Sequence, residues 1–358
     1  MVGRIWVLSS VSKRKMENRF YLILFIFFSF IGNSSSQQNK GESSILFYNV
    51  ENLFDTKDNP KTDDENFTPD GEMHWTNARF NDKLLKISKV IISSAGWKVP
   101  DLIVLGEIEN RYVLERLTEQ QLLKPYSYKI IHKESPDHRG IDVGFLYNPE
   151  NFFPLEYNYI PLEINDKTLE SREILYVSGI FNKTDTIHIF GNHWPSRYSG
   201  LLETESMRKT AALLLRSKVD ELNTKYVSPK IVIVGDFNDG PEDESISDYL
   251  KAEKIAVPIK SNTLYNLFHE MKKNESGTLK YQSQWFVFDQ IIVSGSLLNA
   301  KSGYCTNAEN AKIVALPFLI EDDLKFGGKK PFRTFYGFSY NGGFSDHLPV
   351  ILHLNRIN

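Results

Sequence analysis

At the centre of the sequence stands the stretch Ile231-Val232-Ile233-Val234-Gly235-Asp236-Phe237-Asn238-Asp239. Its four consecutive apolar β-branched residues predict a buried strand. The glycine then permits a sharp turn, and Asp236 and Asn238 follow at a spacing that lets both face one side. Open α/β sheets place their chemistry at the carboxyl ends of strands, so this stretch predicts a central strand and a functional site. The alternative is an Asx-rich turn that only closes the strand.

Strands and helices alternate along the rest of the chain. Further strands are predicted at residues 44–48, 101–105, 143–147, 175–181, 186–190, 288–293 and 350–354, and helices at 83–92, 112–123, 203–222 and 243–253. Several strands follow one another without a helix, so the sheets cannot be purely parallel. The pattern indicates mixed sheets stacked on each other with helices outside. Two long polar loops, at 56–77 and 323–344, are typical of functional or mobile segments.

The first 36 residues have the pattern of a secretory signal peptide. A basic lead precedes the apolar run at residues 20–31, and Ser34-Ser35-Ser36 supplies small residues for cleavage. We therefore expect residues 1–36 to be removed, residues 37–358 to form one domain, and the protein to be exported to the periplasm or beyond. An uncleaved anchor is the alternative, and the true start is either Met1 or Met16.

The charge of the chain argues against tight electrostatic binding of nucleic acid. The whole chain carries −3, and a leader with five basic residues and one acidic residue would remove +4, so the mature chain would carry −7. Nucleic-acid-binding surfaces are usually basic. A polyanionic substrate could still be handled through a bound cation, which inverts the local field. The single cysteine, Cys305, excludes an intramolecular disulfide.

Polar residues recur beside the predicted strands. The groups that share this position are Asn49/Glu51, Gly106-Glu107, Asn192-His193, Gly235-Asp236-Phe237-Asn238, Asp289 and Ser345-Asp346-His347. Each alone has an ordinary explanation as a solvated carboxylate, a packed histidine or a turn cap. Buried carboxylates are costly without a partner, so the recurrence indicates a divalent cation. Oxygen-rich ligands favour Mg²⁺, Mn²⁺ or Ca²⁺ over Zn²⁺.

This ordered set resembles the endonuclease/exonuclease/phosphatase family, and specifically a secreted, bacterial-type member. The family includes DNase I-like nucleases, abasic-site endonucleases, inositol-phosphate phosphatases and neutral sphingomyelinases. The motifs cover roughly residues 45–354. The resemblance implies a four-layer α/β/β/α sandwich of two mixed sheets, with the site at one end of both sheets.

The resemblance also implies a metal site. Glu107 would be the principal ligand, with Asn49 and Glu51 beside it and Asp346 at the metal side. Glu51 departs from the abasic-site members, which carry Asp there, so its direct bond to a metal is open. The expected ion is Mg²⁺, with Mn²⁺ or Ca²⁺ as alternatives.

The remaining motif residues are implied to carry the catalytic steps. Asp236 would orient or deprotonate the attacking water, and Asn238 would position it. Asp289 would hold His347, which contacts the scissile phosphate. His193 would be a general acid, as in the DNase I-like members. Three further residues are assigned to the phosphate, namely Arg139, Asn192 and Arg197.

These residues favour a secreted, metal-dependent phosphodiesterase, with a nuclease acting on DNA or RNA as the leading interpretation. A phospholipid or sphingomyelin phosphodiesterase on the same scaffold is the closest alternative. Its support is an aromatic cluster, made of Phe326, Phe332, Phe335, Tyr336 and Phe338, that could enter a membrane interface. A non-catalytic binding module is the alternative of another class. We expect a monomer without an obligate protein partner, and membrane contact only if the substrate is a lipid.

Overall fold

The structure, a computed structural model, describes residues 42–164, 167–197, 200–271 and 277–357. The predicted leader, residues 1–36, lies outside the described residues, so its assignment stays a prediction. Within the described ranges, none of the helices combines the length and the apolar character needed to span a bilayer.

Two seven-stranded sheets form the centre of the fold. Their strands are, in chain order, β1 (Glu42–Leu53), β2 (Leu102–Ile108), β3 (Lys129–Ile131), β4 (Asp142–Tyr147), β5 (Phe152–Ile160), β6 (Ile174–Phe181), β7 (Asp185–His193), β8 (Lys230–Asp236), β9 (Ala252–Glu253), β10 (Leu264–Asn266), β11 (Asp289–Ser294), β12 (Gly303–Cys305), β13 (Ala311–Ile313) and β14 (Val350–Ile357). The first sheet has the order β12-β14-β1-β2-β4-β3, with β13 also paired to β14. The second has the order β9-β10-β11-β8-β7-β6-β5.

Four two-stranded hairpins lie outside these sheets. They pair Glu163–Ile164 with Lys167–Thr168, Leu279–Tyr281 with Gln284–Phe286, Ile320–Asp322 with Lys329–Pro331, and Phe335–Tyr336 with Ser339–Tyr340. The last two hairpins occupy much of the predicted loop at 323–344, which is therefore more ordered than its composition indicates.

The helices are α1 (Asn77–Ser94), α2 (Arg111–Thr118), α3 (Leu201–Lys225) and the single turn α4 (Gly295–Leu298). Short 3₁₀ turns occur at Glu65–Phe67, Lys124–Tyr126, Ala308–Asn310 and Pro317–Leu319. The side chains of Thr76 and Asn110 cap α1 and α2 by accepting from the backbone N–H groups of Arg79 and Val113.

The short helix predicted near residues 243–253 is present only as a single turn. The chain there forms one π-helical turn at Ser245–Tyr249 and then continues into β9. Two features stop a helix at this point. Lys251 has a positive φ of 58°, which breaks the right-handed path, and Ala252 pairs with Leu264 in the second sheet.

Strand alternation divides the apolar residues among three layers of core. Along β1, Ile45 and Phe47 enter the core between the sheets, whereas Leu46 and Tyr48 enter the core that includes α1 and α2. Successive strand residues point to opposite faces, so one strand serves both cores.

The strand β8 divides its side chains in the same way. Val232 and Val234 face the first sheet, and Ile231 and Ile233 pack with Leu215 of α3. The layers are therefore helices, first sheet, second sheet and helix. This arrangement confirms the four-layer α/β/β/α sandwich.

Gly235 supplies a first test, because β7 passes very close to it. A Cβ at this position would lie 2.3 Å from the backbone oxygen of Asn192 and 2.6 Å from its Cβ. We expect Gly235→Ala to lower the free energy of unfolding by about 1–3 kcal/mol, measured by urea denaturation. The matched control is Gly240→Ala, whose Cβ would meet only Asp243 Oδ2 at 3.6 Å. Equal stabilities of the two variants would contradict the close-packing argument.

Candidate active site

The edge where both sheets end gathers the polar motifs. The strand β1 runs parallel to β2 and places Asn49 opposite Gly106, one residue before Glu107. In the second sheet β8 places Asp236 opposite His193 of the parallel β7 and opposite Asp289 of the antiparallel β11. The carboxyl ends of parallel strands share one edge of a sheet, so the topology brings these residues together.

Asn49 connects the two sheets. Its Nδ2 donates to Glu107 Oε1 at 3.3 Å and to Asp236 Oδ2 at 3.1 Å. Its Oδ1, the atom able to bind a cation, accepts from the backbone N–H of Glu51 at 3.1 Å. Asn49 therefore holds two carboxylates near each other, and its assignment as a metal ligand stays a prediction, since Oδ1 keeps a second acceptor position.

Glu107 is the carboxylate best placed for a cation. Its Oε2 accepts from the backbone N–H of Asn52 at 2.8 Å, and its side chain keeps 16% of its surface exposed. Each oxygen retains a further acceptor position, so the group is fixed and still open to solvent. The residue adopts a positive φ of 64°, a strained conformation that often accompanies functional sites.

Asp236 is fully buried at the centre of the site. Its Oδ1 accepts from the backbone N–H of Asn238 at 2.9 Å. Burial raises the pKa of the Asp236 carboxyl above its ordinary value; positive His347 opposes this shift and negative Asp289 adds to it. A carboxylate with a raised pKa is a better proton acceptor. Asn238 itself has a φ of 51° and donates through Nδ2 to the backbone oxygen of Trp194 at 3.1 Å.

Asp289 and His347 form a buried dyad. Asp289 Oδ2 lies 2.7 Å from His347 Nδ1, and the other ring nitrogen, Nε2, lies 3.7 Å from Asp236 Oδ2. Burial alone would lower the pKa of His347, but Asp289 and then Asp236 raise it well above the ordinary value. The two carboxylates thus stabilise the imidazolium form of His347, whose Nε2 faces Asp236. A positive charge at this position suits contact with a phosphate oxygen.

His193 lies on the other side of Asp236 and has the opposite electrostatic character. Its Nε2 is 3.7 Å from Asp236 Oδ2 and 3.9 Å from Glu107 Oε1. Burial, followed by the charges of Arg172 and Arg139, holds the pKa of His193 well below its ordinary value. This shift favours the neutral imidazole in the free protein, which disfavours the general-acid role that the sequence predicts.

Arg172 is a site residue that sequence reasoning missed. Its buried guanidinium donates to the backbone oxygens of His193 and Trp194 at 3.2 and 2.5 Å, and to Asp137 Oδ2 at 2.6 Å. It fixes the segment that carries His193. Nothing in the local pattern before β6 marks this residue, because its partners are distant in sequence.

Glu51 and Asp346 meet a second missed residue, Arg333. The Arg333 guanidinium contacts both carboxylates, and the backbone N–H of Thr334 donates to Glu51 Oε2 at 2.6 Å. Glu51 is therefore turned toward residues 333–335 rather than toward Glu107. These contacts disfavour a direct bond from Glu51 to a cation at Glu107, a question that the sequence leaves open.

The three residues assigned to phosphate are placed differently. Asn192 donates to the backbone oxygens of Phe190 and Val234 and accepts from Trp194 Nε1, so its amide is used inside the fold and the phosphate assignment is corrected. Arg139 pairs with Asp137 at 3.2 Å and keeps a side chain 38% exposed, and its assignment to phosphate stays a prediction.

Arg197 is held by the loop that follows β8. It donates to the backbone oxygen of Asn238 and to Asp239 and Asp243, at 2.5 to 2.6 Å. These contacts use its charge to fix the loop that carries Asn238. Arg197 therefore supports this loop, and its assignment to phosphate stays a prediction.

The donor set fits a divalent cation. Oxygen atoms of Asp236, Asp289 and a nitrogen of His347 lie within 4.8 Å of one another, and Glu107 faces the same space near Asn49. Hard cations prefer such carboxylate oxygens. Glu107 is more exposed than the His347–Asp289 dyad, so it is the group of this set that an ion from solvent reaches most easily.

A family model described as the Endonuclease/Exonuclease/phosphatase family matches residues 44–356. The chain belongs to this family. Membership makes the chain a metal-dependent hydrolase of phosphoric ester bonds. No curated protein matches the chain in sequence.

Solved structures share the fold at low identity. A humanized D. rerio TDP2 has 13% identity and a TM-score of 0.54, with 88% of this chain and 99% of that chain covered. A Bacteroides thetaiotaomicron protein of the same family has 14% identity and a TM-score of 0.52, with coverage of 87% and 94%. The human Nocturnin catalytic domain has 14% identity and a TM-score of 0.51, with coverage of 88% and 95%. These likenesses support the α/β sandwich.

The neutral state of His193 leads to a test against the general-acid role. We expect His193→Ala to slow cleavage of DNA and of bis-p-nitrophenyl phosphate by similar factors, about tenfold each, because only a neutral hydrogen-bond donor is lost. Steady-state rates on both substrates, with folding checked by circular dichroism, provide the measurement. A loss on the order of 10²–10⁴ confined to the alkyl ester would restore the general-acid assignment.

Proposed function

We propose that the chain is a nuclease-type phosphodiesterase that hydrolyses nucleic acid, with Mg²⁺ or Mn²⁺ as its ion. The observation that carries this proposal is the position of Asp236. One of its oxygens accepts from Asn49 and lies 3.7 Å from the Nε2 atoms of both His193 and His347. A basic carboxylate next to an imidazolium suits water activation beside a phosphate.

The reaction divides among the residues as follows. Asp236 takes a proton from water, whose oxygen forms a bond to phosphorus while the bond to the leaving oxygen breaks on the opposite side. His347, as the imidazolium, stabilises the charge on a non-bridging oxygen. Glu107 would hold the divalent cation, which would supply positive charge to the phosphate and to the leaving oxygen. The leaving oxygen would take its proton from solvent water.

Asp236 and His347 are too close together to act on opposite sides of phosphorus. Only 3.7 Å separates Asp236 Oδ2 from His347 Nε2. In-line displacement keeps the attacking and leaving oxygens apart. His347 therefore acts on the phosphate rather than on the leaving group, in agreement with the role implied by the sequence.

Three observations favour a nucleic acid over a lipid. D. rerio TDP2, whose fold this chain shares at 13% identity and a TM-score of 0.51, was solved with a single-strand DNA product. In addition, the aromatic cluster proposed for membrane contact is divided, because Phe335 is buried and Phe332 packs against the core. Arg139 provides an accessible positive charge for a phosphate backbone.

A lipid phosphodiester remains the second candidate. Phe326, Tyr336 and Phe338 are 43%, 38% and 62% exposed, and Leu324 beside them is 97% exposed. Exposed apolar groups on one loop are a feature of surfaces that contact membranes or proteins. The retained Glu107, Asp236 and Asp289–His347 geometry makes a non-catalytic binding module the weaker interpretation.

The metal and the substrate are tested together. We expect chelation to abolish cleavage of plasmid DNA or RNA, and Mg²⁺ or Mn²⁺ to restore it. Glu107→Gln removes the charge that holds the cation, so we expect a loss on the order of 10²-fold or more in kcat/KM. A suitable control is Glu115→Gln, on the exposed face of α2. Full activity after exhaustive chelation contradicts the proposal, whereas cleavage of sphingomyelin vesicles but of no nucleic acid selects the lipid alternative.

We also propose that the protein is exported. The family match begins at residue 44, after the predicted leader, and thus leaves residues 1–36 free for a targeting role. We expect mass spectrometry of the native protein to find a chain without the apolar run at 20–31. Leu24→Asp interrupts that run, so the uncleaved form should accumulate inside the cell. Intact leader on the wild-type protein would contradict cleavage.

A further inference from the structure

Arg333 lies between two carboxylates that the family resemblance assigns to a metal. Its Nε donates to Glu51 Oε1 at 3.1 Å, and its Nη2 lies 3.1 Å from the same oxygen and 3.0 Å from Asp346 Oδ2. One planar guanidinium thus contacts both acids at once. Guanidinium groups match carboxylates in this way because their donors form a rigid fork.

Backbone groups of the chain also donate to Glu51. The backbone N–H of Thr334 donates to Oε2 at 2.6 Å, and that of Phe335 donates to Oε1 at 3.4 Å. A cation at Oε1 of Glu51 would have to displace the guanidinium and the backbone N–H of Phe335. Since Glu51 is only 4% exposed, water could not replace the lost contacts.

A buried lysine fixes the same segment from the helix side. Lys83 of α1 donates to Thr334 Oγ1 and to the backbone oxygen of Phe344. Lys83 and Glu51 therefore hold residues 333–335 from two directions. This anchoring fixes the backbone of Arg333, whose side chain remains 36% exposed.

We propose that the Arg333 guanidinium takes the place of a second cation between Glu51 and Asp346, so that the folded chain binds one divalent ion, at Glu107. This inference rests on the metal position in the proposed function. Two carboxylates this close to one cation repel each other unless a positive charge separates them. Arginine provides that charge permanently, whereas a bound ion depends on its concentration.

The arrangement also gives Arg333 a positioning role. Asp346 directly precedes His347 in the chain, and Arg333 holds its carboxylate. A fixed Asp346 restricts the backbone that presents His347 to the phosphate. Arg333 acts through these neighbours and need not touch the substrate.

The experiment counts bound ions. Mn²⁺ is titrated into chelator-treated, dialysed protein, with free Mn²⁺ followed by electron paramagnetic resonance and binding heat by calorimetry. We expect one ion for wild type and a second ion for Arg333→Met, which leaves Glu51 and Asp346 without their shared cation. Adding Asp346→Asn to Arg333→Met should remove the second ion. The matched control is Lys330→Met, which removes a cation of the same loop whose partner is Glu321, at 3.6 Å, and should bind one ion.

Thermal melting gives an independent readout. In chelator, Arg333→Met should melt below wild type, and Mn²⁺ should restore more of its stability because the ion replaces the missing charge. Two ions on wild type overturn the proposal, and this count needs no variant. One ion on folded Arg333→Met, with no added response of its melting to Mn²⁺, overturns it as well.

Failure of the proposed function has a different signature. Glu107→Gln should weaken the one wild-type Mn²⁺ site by more than about tenfold. If Glu107→Gln binds Mn²⁺ as wild type does, the assignment of the ion to Glu107 fails irrespective of Arg333. If Glu107→Gln weakens Mn²⁺ binding but Arg333→Met binds no second ion, only the inference about Arg333 fails.

Discussion

The site depends on one amide that bridges the two sheets. Asn49 of the first sheet donates both to Glu107 in its own sheet and to Asp236 in the other. Two carboxylates that converge in a largely buried space destabilise each other, and their burial is costly without hydrogen bonds. Because one Nδ2 group serves both acids, it keeps them close while the apolar core between the sheets fixes the distance between their strands.

The backbone around the Asn49 bridge adopts strained conformations that also help to hold the site carboxylates in place. Glu51, Asn52 and Glu107 in the first sheet and Asn238, in the loop after β8, all have positive φ values. Such conformations are costly for residues with a side chain and persist only when surrounding contacts enforce them. Here the strand registers and the backbone-to-carboxylate hydrogen bonds enforce them. The edge of the sheets is therefore stiff before any ligand arrives, and this lowers the cost of orienting a substrate.

The sequence predicts those parts that follow from strand periodicity. The β-branched run before Gly235 and the strand at β1 have alternating faces, so the sandwich and the convergence of Glu107, Asp236 and His347 could be predicted from local pattern and family resemblance. The roles of Arg172 and Arg333 could not be predicted, because each residue acts through partners far away in sequence and lies in a segment without periodicity.

The misplaced assignments have the same origin. The amide of Asn192 is used by the backbone of its own strand and of β8, a contact that depends on how closely two strands approach at Gly235. Motif spacing shows that a polar residue ends a strand, but not whether its side chain faces the site or the core.

The two histidines show most clearly what motif spacing cannot predict. His193 and His347 lie at equal distances from Asp236, yet Asp289 stabilises the charged form of His347, whereas burial and Arg172 keep His193 neutral. The two histidines differ chemically because of the charged neighbours Asp289 and Arg172. The identity of a residue alone therefore does not assign its role.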